Sequence, residues 1–281
     1  MKLPTFSGWS WRDLILRVKL QKGLLHSKIR QRLIGPHASH VLVNSFNGKL
    51  LVPAADFIVG KSLALHGEYD RPHVEKLLGM VDRTSKLLFV GSHIGALVIP
   101  MAKAVREVVA IEANPAIFAT LQMNLLLNGC DNVRALNFAA SDKREKVKFL
   151  ASPHNSGGSR ITPKKMRMEF EYDHPREIEV EATALDDLLP DFSPTHIVMD
   201  IEGAETTAIA GMPRLLASSK VFVVEFLPNN IENVAGISCE EFLKLIPFDR
   251  IELLDNPNEK DIIAVAKNRF YYGGADLLCY R

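Results

Sequence analysis

The 281-residue sequence has few cysteines, no long apolar run and almost no net charge. Its three cysteines are odd in number and far apart, so they match neither a disulfide framework nor a zinc-ligand spacing. Basic residues outnumber acidic ones by only 34 to 33, which argues against nucleic acid as a main partner because phosphates attract an excess of positive charge. No apolar run reaches the ~18 residues that would span a bilayer. We expect a cytoplasmic protein.

The N-terminal segment, residues 9–32, is rich in basic residues and has Asp13 as its one acid. Apolar residues recur in it at near-helical spacing: Leu14, Val18, Leu25 and Ile29. We expect a basic helix that packs on the protein and shows its charges to water. The alternative is an amphipathic helix that makes a weak peripheral contact with an anionic membrane. We assign residues 1–80 to an N-terminal extension, which includes a hairpin around Asn47-Gly48, and residues 81–281 to the main domain.

Residues 86–115 contain a strand, a glycine turn, a helix, a second strand and an acid, in that order. An apolar run ends at Gly91, Gly95 opens an apolar helical pattern, and a second apolar run ends at Glu112. An acid about 20 residues beyond such a turn is placed to accept hydrogen bonds from the ribose hydroxyls of a nucleoside cofactor. The stretch therefore predicts an adenosine-containing cofactor.

The spacing of the glycines discriminates between such cofactors. A dinucleotide pyrophosphate needs a second glycine two residues after the first, so that the backbone can approach the phosphates. Here that position is His93, whose side chain would fill the space. The G-x-x-x-G turn suits a ligand without phosphates, and we expect S-adenosylmethionine. The alternative is a nucleotide-dependent oxidoreductase.

A second cluster of acids follows an apolar strand over 196–199, in the run M-D-I-E-G-A-E. Open parallel sheets place their chemistry at the carboxyl ends of strands, and clustered carboxylates shift one another's pKa. We predict that Asp200 acts as a base or an orienting carboxylate. Further catalytic candidates are Glu202, Glu205 and His93, followed by Glu225 and His154. A metal site built from Asp200 with Glu202 or Glu225 is an alternative that the spacing does not establish, and we assign no metal ligand.

With both stretches described, the sequence from about residue 50 to the C-terminus resembles the FkbM family of S-adenosylmethionine-dependent O-methyltransferases. The matches, in chain order, are F-V-G-S-H-I-G at 89–95, E-A-N-P at 112–115, L-x-x-N at 121–124, A-A-S-D at 139–142, S-G-G-S at 156–159, L-D-D-L at 185–188 and D-I-E-G-A-E at 200–205. The resemblance implies a Rossmann-like class I methyltransferase fold. It also implies methylation of a hydroxyl on a sugar, a glycan or a secondary metabolite.

The resemblance and the two motifs together give the expected cofactor-binding residues: Val90, Gly91, Ser92, His93, Gly95, Glu112, Ala113, Asn114, Asn137, Ala139, Ala140 and Asp200. Two positions depart from the family pattern. Phe89 stands where the family has an acid, and His93 stands where it has an asparagine. That acid usually helps to hold the amino end of the cofactor, so a non-catalytic cofactor-binding relative is a further alternative.

The alternation of strands and helices predicts a mostly parallel central sheet with helices on both faces. Within it we expect a strand over 133–139 and a helix over 205–216. Residues 152–176 are rich in proline, glycine, serine and charge, and predict a long mobile loop. We expect this loop and the N-terminal extension to form the wall that receives a hydroxylated small molecule or glycan.

Overall fold

The computed structural model describes residues 11–269 and 274–281. Positions 9 and 10 of the basic segment lie outside the described residues. The N-terminal extension comprises α1 (Trp11–Ile34), β1 (His40–Ser45), β2 (Gly48–Pro53), α2 (Val59–His66) and α3 (Arg71–Leu78). The predicted hairpin is confirmed, because β1 and β2 pair antiparallel around a turn that brings Ser45 opposite Gly48. In the described part of the chain, no helix is both long and apolar enough to cross a membrane.

The next part of the chain alternates strands and helices, as the sequence predicts. Its first elements are β3 (Lys86–Val90), α4 (Val98–Ala102), β4 (Glu107–Ile111), α5 (Pro115–Leu127) and β5 (Val133–Leu136). They are followed by β6 (Ala139–Ala140), β7 (Glu145–Ala151), a 3-10 turn (Ser156–Gly158), β8 (Arg160–Ile161), α6 (Met168–Glu171), β9 (Arg176–Thr183) and α7 (Leu185–Leu188). Strands β6 to β9 form a separate four-stranded sheet in the order β6-β9-β7-β8.

The last part of the chain returns to the main sheet. Its elements are β10 (His196–Met199), α8 (Glu205–Ala210), α9 (Pro213–Ser218), β11 (Val221–Phe226), α10 (Pro228–Asn230), a π-helical turn (Ile231–Ala235), α11 (Cys239–Leu245), β12 (Arg250–Leu253), α12 (Ile262–Asn268) and β13 (Ala275–Tyr280). The main sheet has seven strands in the order β12-β13-β11-β10-β3-β4-β5. Neighbours from β11 to β5 are parallel, while β13 is antiparallel to β11 and β12. The predicted mostly parallel sheet is confirmed.

The middle strands are apolar along their whole length because helices cover both faces of the sheet. In β3, Leu88 and Val90 belong to the apolar core on one face, and Leu87 and Phe89 to the core on the other. The chain leaves β3 toward β4 and later returns beside β3 as β10. The strand order therefore reverses between β3 and β10, and a crevice at their carboxyl ends is the expected place for a ligand.

The N-terminal extension packs closely on this framework. Asn124 of α5 accepts a hydrogen bond from the backbone N–H of Leu51 (2.7 Å) and donates to the carbonyl oxygens of Leu51 (3.0 Å) and Ile94 (2.8 Å). One amide thus joins β2, α5 and the turn that follows β3. Asn47, fully buried in the hairpin turn, donates to the carbonyl oxygens of Tyr69 and Ala96.

Three expectations about local structure are wrong. The strand predicted over 133–139 ends at Leu136, and the chain then changes sheet at β6. The helix predicted over 205–216 is divided into α8 and α9 at Gly211, where the backbone passes so close to Ser141 that a Cβ would lie 1.9 Å from its carbonyl oxygen. Pro213 then begins α9. The segment predicted as a loop over 152–176 contains the 3-10 turn, β8 and α6.

Candidate active site

A cavity of about 300 Å³ lies at the carboxyl ends of β3, β4 and β10, facing residues 155–161. Its volume is at the lower end of the range for small-molecule sites. Among the residues predicted from the sequence, those that line it are Val90, Gly91, Ser92, His93, Glu112, Ala113, Ala139, Ala140, Asp200, Glu202 and Glu225. Gly95, Asn114, Asn137, Glu205 and His154 are not among its lining residues.

The turn after β3 depends on glycine at both predicted positions. Gly91 has φ +89° and Gly95 has φ +90°, in the left-handed region that disfavours other residues. A Cβ on Gly91 would collide with the backbone of Asp200, and a Cβ on Gly95 would lie 2.9 Å from the Leu121 side chain. Gly95 therefore faces the Leu121 side chain of α5 and shapes the turn without lining the cavity.

Glu112 directly follows β4 and is 8% exposed. Its Oε2 accepts a hydrogen bond from the backbone N–H of His93, and its Oε1 accepts one from the backbone N–H of Asn114, both at 2.8 Å. Burial raises the pKa of Glu112 to about 7, and these hydrogen bonds oppose the rise. The carboxylate thus joins the glycine turn to the start of α5.

The two predicted asparagines support this arrangement from outside the cavity. Asn114 caps α5, since its Oδ1 accepts from the backbone N–H of Ala116 at 3.1 Å. Asn137 donates from Nδ2 to the carbonyl oxygens of Glu112 (2.7 Å) and Ala113 (3.1 Å). Both residues hold the backbone that presents Glu112.

Asp200, which directly follows β10, lines the cavity and forms a side-chain hydrogen bond with Glu225 of β11. Burial raises the pKa of Asp200 to about 8, with a further contribution from the negative charge of Glu202. Burial and the charge of Asp200 raise the pKa of Glu225 well above its usual range. Both acids are therefore mostly protonated at neutral pH, and a proton lies between them in their hydrogen bond. Among the described residues, Glu225 Oε2 is one of the buried side-chain atoms without a hydrogen-bond partner.

Glu202 is held by a different set of contacts. Its Oε2 lies 3.1 Å from Arg160 Nη2 and accepts a hydrogen bond from Asn230 Nδ2 at 2.7 Å. Arg160 also donates to Asn230 Oδ1 and lies over the ring of Phe170. Its guanidinium offsets the charge of Glu202 and anchors the segment predicted as a mobile loop.

The three acids also have the spacing of a cation site. One carboxylate oxygen from each of Asp200, Glu202 and Glu225 lies within 4.8 Å of the others. Oxygens at this spacing suit a hard divalent cation, and they suit equally a proton shared between two acids. The Asp200–Glu225 hydrogen bond favours the shared proton.

The geometry does not support a catalytic role for Glu205. The residue is 2% exposed, and its Oε1 accepts hydrogen bonds from the backbone N–H groups of Ile201 (3.3 Å) and Gly203 (3.1 Å). It holds the turn that presents Asp200 and Glu202. His154 is likewise directed away from the cavity, with Nδ1 3.0 Å from Ser27 Oγ.

His93 is positioned by two residues distant from it in sequence. Ser156 Oγ donates to Asp56 Oδ2, and the same oxygen lies 2.8 Å from His93 Nε2. A serine hydroxyl has one hydrogen, so Ser156 must accept the bond from His93 Nε2–H. Burial lowers the pKa of His93, so the ring is neutral at neutral pH. Its unprotonated Nδ1, which has no hydrogen bond to other described residues, is available to a ligand in the cavity.

Sequence reasoning missed several residues of the cavity wall. Tyr69 and Ile58 come from the extension, while Ser156 and Arg160 come from the predicted loop. Burial and the negative charge of Asp200 raise the pKa of Tyr69 well above its usual range, so its hydroxyl stays protonated. Asp56, which fixes Ser156, is fully buried and carries no recognisable motif. The S-G-G-S run was the signal that could have placed Ser156.

The chain matches one known protein family. The model of the methyltransferase FkbM domain matches residues 90–253, more than half of the chain. The matched region runs from the end of β3 to the end of β12 and includes the turn, Glu112 and the acid cluster. No curated protein sequence matches the chain.

Solved structures similar to the chain include several methyltransferases. Methyltransferase FkbM from Methylobacillus flagellatus KT is 16% identical, with 96% of this chain and 59% of that chain covered and a TM-score of 0.46. Precorrin-6y C5,15-methyltransferase from Geobacter metallireducens GS-15 is 12% identical, with 74% and 86% covered and a TM-score of 0.42. An rRNA methylase from Streptococcus thermophilus is 8% identical, with 75% and 94% covered and a TM-score of 0.45. The chain spans less than two thirds of the length of the first of these proteins.

Proposed function

The chain belongs to the FkbM methyltransferase family, and we propose that it transfers the methyl group of S-adenosylmethionine to a hydroxyl group of a sugar, a glycan or a secondary metabolite. The observation that carries this proposal is that one cavity receives both Glu112, at the end of β4, and Asp200, at the end of β10. The first is placed to bind a ribose, and the second to act on an acceptor.

The residues of the cavity fit an adenosine-containing cofactor. In this proposal Glu112 accepts hydrogen bonds from ribose hydroxyls, and His93 Nδ1 offers a further acceptor. An apolar wall beside them suits a purine ring, and it consists of Ile111, Ala113, Phe138 and Ala139. When bound, S-adenosylmethionine supplies a methyl group on a positively charged sulfur. Asp200, when ionised, places a negative charge in the same cavity.

Asp200 is the residue that we assign to proton removal. A pKa of about 8 makes its carboxylate a stronger base than an ordinary aspartate, although it is then mostly protonated at neutral pH. Positive charge in the cavity favours the ionised form and lowers this pKa. The ionised Asp200 then accepts the proton of an acceptor hydroxyl, while Glu225 retains its own proton and orients Asp200 through their hydrogen bond.

The acceptor wall is polar on the side of the extension and the 155–161 segment. The hydroxyl of Tyr69 and the amide of Asn155 line it and can donate to an oxygen-rich acceptor. Ile58 and Leu227 add apolar surface. This mixture suits a hydroxylated ring compound, whose polar edges and apolar faces need both kinds of contact.

Label transfer from methyl-labelled S-adenosylmethionine to a panel of sugars, glycans and hydroxylated metabolites tests the proposal. We expect an O-methylated product from the wild-type protein. Asp200→Asn should lower turnover by about 10²–10⁴-fold while S-adenosylhomocysteine affinity changes little. Asp187→Asn, an exposed aspartate outside the cavity, is the matched control and should retain full turnover.

Two results would oppose the proposal. Equal turnover by Asp200→Asn and the wild-type protein would show that Asp200 is not the base. Cofactor binding without transfer to any acceptor class would favour the non-catalytic relative. That alternative was motivated by Phe89, but Phe89 is 2% exposed in the apolar core and does not line the cavity. The presence of Phe89 where the family has an acid therefore does not change the cavity wall.

A further inference from the structure

Helix α1 has one face fixed to the rest of the protein. Leu20, Leu24 and Ser27 are at most 6% exposed. Leu20 packs with Phe57 in a small apolar cluster, and Ser27 Oγ donates to the carbonyl oxygen of Ala55. Arg30 on the same face donates from Nε to the carbonyl oxygen of Ala54 at 2.9 Å. The orientation of α1 is therefore set by these contacts.

The opposite face of α1 exposes a second set of large apolar side chains. We call them the apolar stripe: Leu14, Val18, Leu25, Ile29 and Leu33, whose exposed fractions are 46%, 59%, 56%, 48% and 81%. At 100° per residue these positions fall within about 100° of the helix circumference. They extend along about 29 Å of the helix, at 1.5 Å per residue. A continuous apolar surface of this kind marks an interaction site more often than scattered single residues do.

The charges around the apolar stripe have one sign. Residues 14–34 contain no aspartate or glutamate. Lys22 lies within the arc of the stripe, Arg32 lies at its edge and Lys28 flanks it, and all three are exposed. Exposed acid occurs on α6, but α6 packs beside Leu16 and Leu20, on the side of α1 that faces the protein.

This combination identifies the kind of partner. Apolar side chains surrounded by lysine and arginine suit a surface in which hydrocarbon lies beneath negative charge. The helix is not long and apolar enough to cross a membrane, and its buried face is already in use. We propose that α1 lies in the plane of an anionic lipid bilayer, with the apolar stripe among the acyl chains and the basic residues at the phosphates.

Binding of the full-length protein to vesicles tests this proposal, which does not depend on the methyl-transfer reaction. The vesicles contain either phosphatidylcholine alone or phosphatidylcholine with 30% phosphatidylserine, and bound protein is measured by flotation. We expect binding to the anionic vesicles that weakens with salt, and at least tenfold weaker binding to the neutral vesicles. Each basic residue near such a surface contributes about a fivefold factor.

The variants separate the apolar stripe from other exposed residues. The double variant Val18→Asp, Leu25→Asp should weaken binding at least tenfold, and Lys22→Glu, Lys28→Glu should do the same. The matched controls are Leu65→Asp, Leu126→Asp, which changes residues 67% and 81% exposed on other helices, and Lys103→Glu. These controls should bind within twofold of the wild-type protein. Circular dichroism melting checks that every variant is folded.

Several results would overturn the proposal. Equal binding of the wild-type protein to neutral and anionic vesicles would contradict the proposal. So would an equal loss of vesicle binding in the stripe variants and in the controls. A dimer in sedimentation equilibrium that Val18→Asp, Leu25→Asp abolishes, together with no vesicle binding by the wild-type protein, would assign the stripe to a second copy of the chain.

Discussion

A Cβ atom on Gly91 would lie 1.8 Å from the carbonyl oxygen of Asp200. The two residues follow β3 and β10, the strands between which the sheet order reverses. The turn that starts the cofactor site and the strand end that carries the proposed base are thus in backbone contact. A change at Gly91 is expected to disturb both halves of the site.

Gly91→Ala should therefore destabilise the protein strongly. Alanine at positive φ costs about 1 kcal/mol, and the collision with Asp200 requires a backbone shift, so we expect a total loss of at least about 3 kcal/mol. Gly67→Ala is the matched control, since Gly67 has φ +70° and open space around its Cβ position. Urea unfolding measures both variants, and equal losses would show that the contact with Asp200 is unimportant.

Phe89→Asp, which restores the acid of the family pattern, should also destabilise the protein. Phe89 is 2% exposed and packs with Leu87 in the apolar core. Loss of its ring from the core costs about 3–5 kcal/mol, and a buried carboxylate without a partner adds to that. Phe89→Leu should lose less than half as much. A folded Phe89→Asp variant with unchanged unfolding free energy would contradict the packing described for this position.

The main motifs were readable because their signals are local. Both strand ends, the glycine turn and the acid cluster lie in short continuous runs, and the structure brings Glu112 and Asp200 to one cavity. Contacts between distant residues were not readable. Ser156 is fixed by Asp56, 100 residues away, so a segment with loop-like composition is ordered. The backbone contacts of Glu205 were not readable either, because a carboxylate that accepts backbone hydrogen bonds looks the same in sequence as a catalytic one.

The raised pKa of Asp200 predicts a pH-dependent preference between cofactor forms. Below pH 8 the free protein holds a proton on Asp200, and a cation in the cavity favours its release. S-adenosylmethionine carries a positive sulfur and S-adenosylhomocysteine does not. The affinity for the first relative to the second should therefore rise by up to about tenfold between pH 6.5 and 8.5, as Asp200 ionises.

Calorimetric titrations of both ligands across this pH range measure the ratio. The acids that face Asp200 are Glu202, Glu205, Glu225 and Asp276. Asp200→Asn should remove most of this rise, and Glu205, whose pKa burial raises to about 7, accounts for the remainder. A ratio that does not change with pH in the wild-type protein would show that Asp200 is ionised throughout or lies away from the sulfur.

The central claim is that the cavity at the ends of β3, β4 and β10 binds S-adenosylmethionine through Glu112. Glu112 also accepts backbone hydrogen bonds from His93 and Asn114, so Glu112→Ala should lower the unfolding free energy by about 1–3 kcal/mol. Affinity must therefore be measured well below the melting temperature of the variant. Glu107→Ala serves as the control. Glu107 is a partly exposed glutamate at the start of β4, and it pairs with Lys86 at 3.5 Å.

The most direct measurement is calorimetric titration of S-adenosylhomocysteine and of NAD into the wild-type protein, Glu112→Ala and Glu107→Ala. We predict that the wild-type protein and Glu107→Ala bind S-adenosylhomocysteine and not NAD. Glu112→Ala should bind S-adenosylhomocysteine more weakly by about 1.5–3 kcal/mol, a factor of roughly 10 to 150. Tight binding of NAD without S-adenosylhomocysteine, or an unchanged dissociation constant in folded Glu112→Ala, would contradict this account.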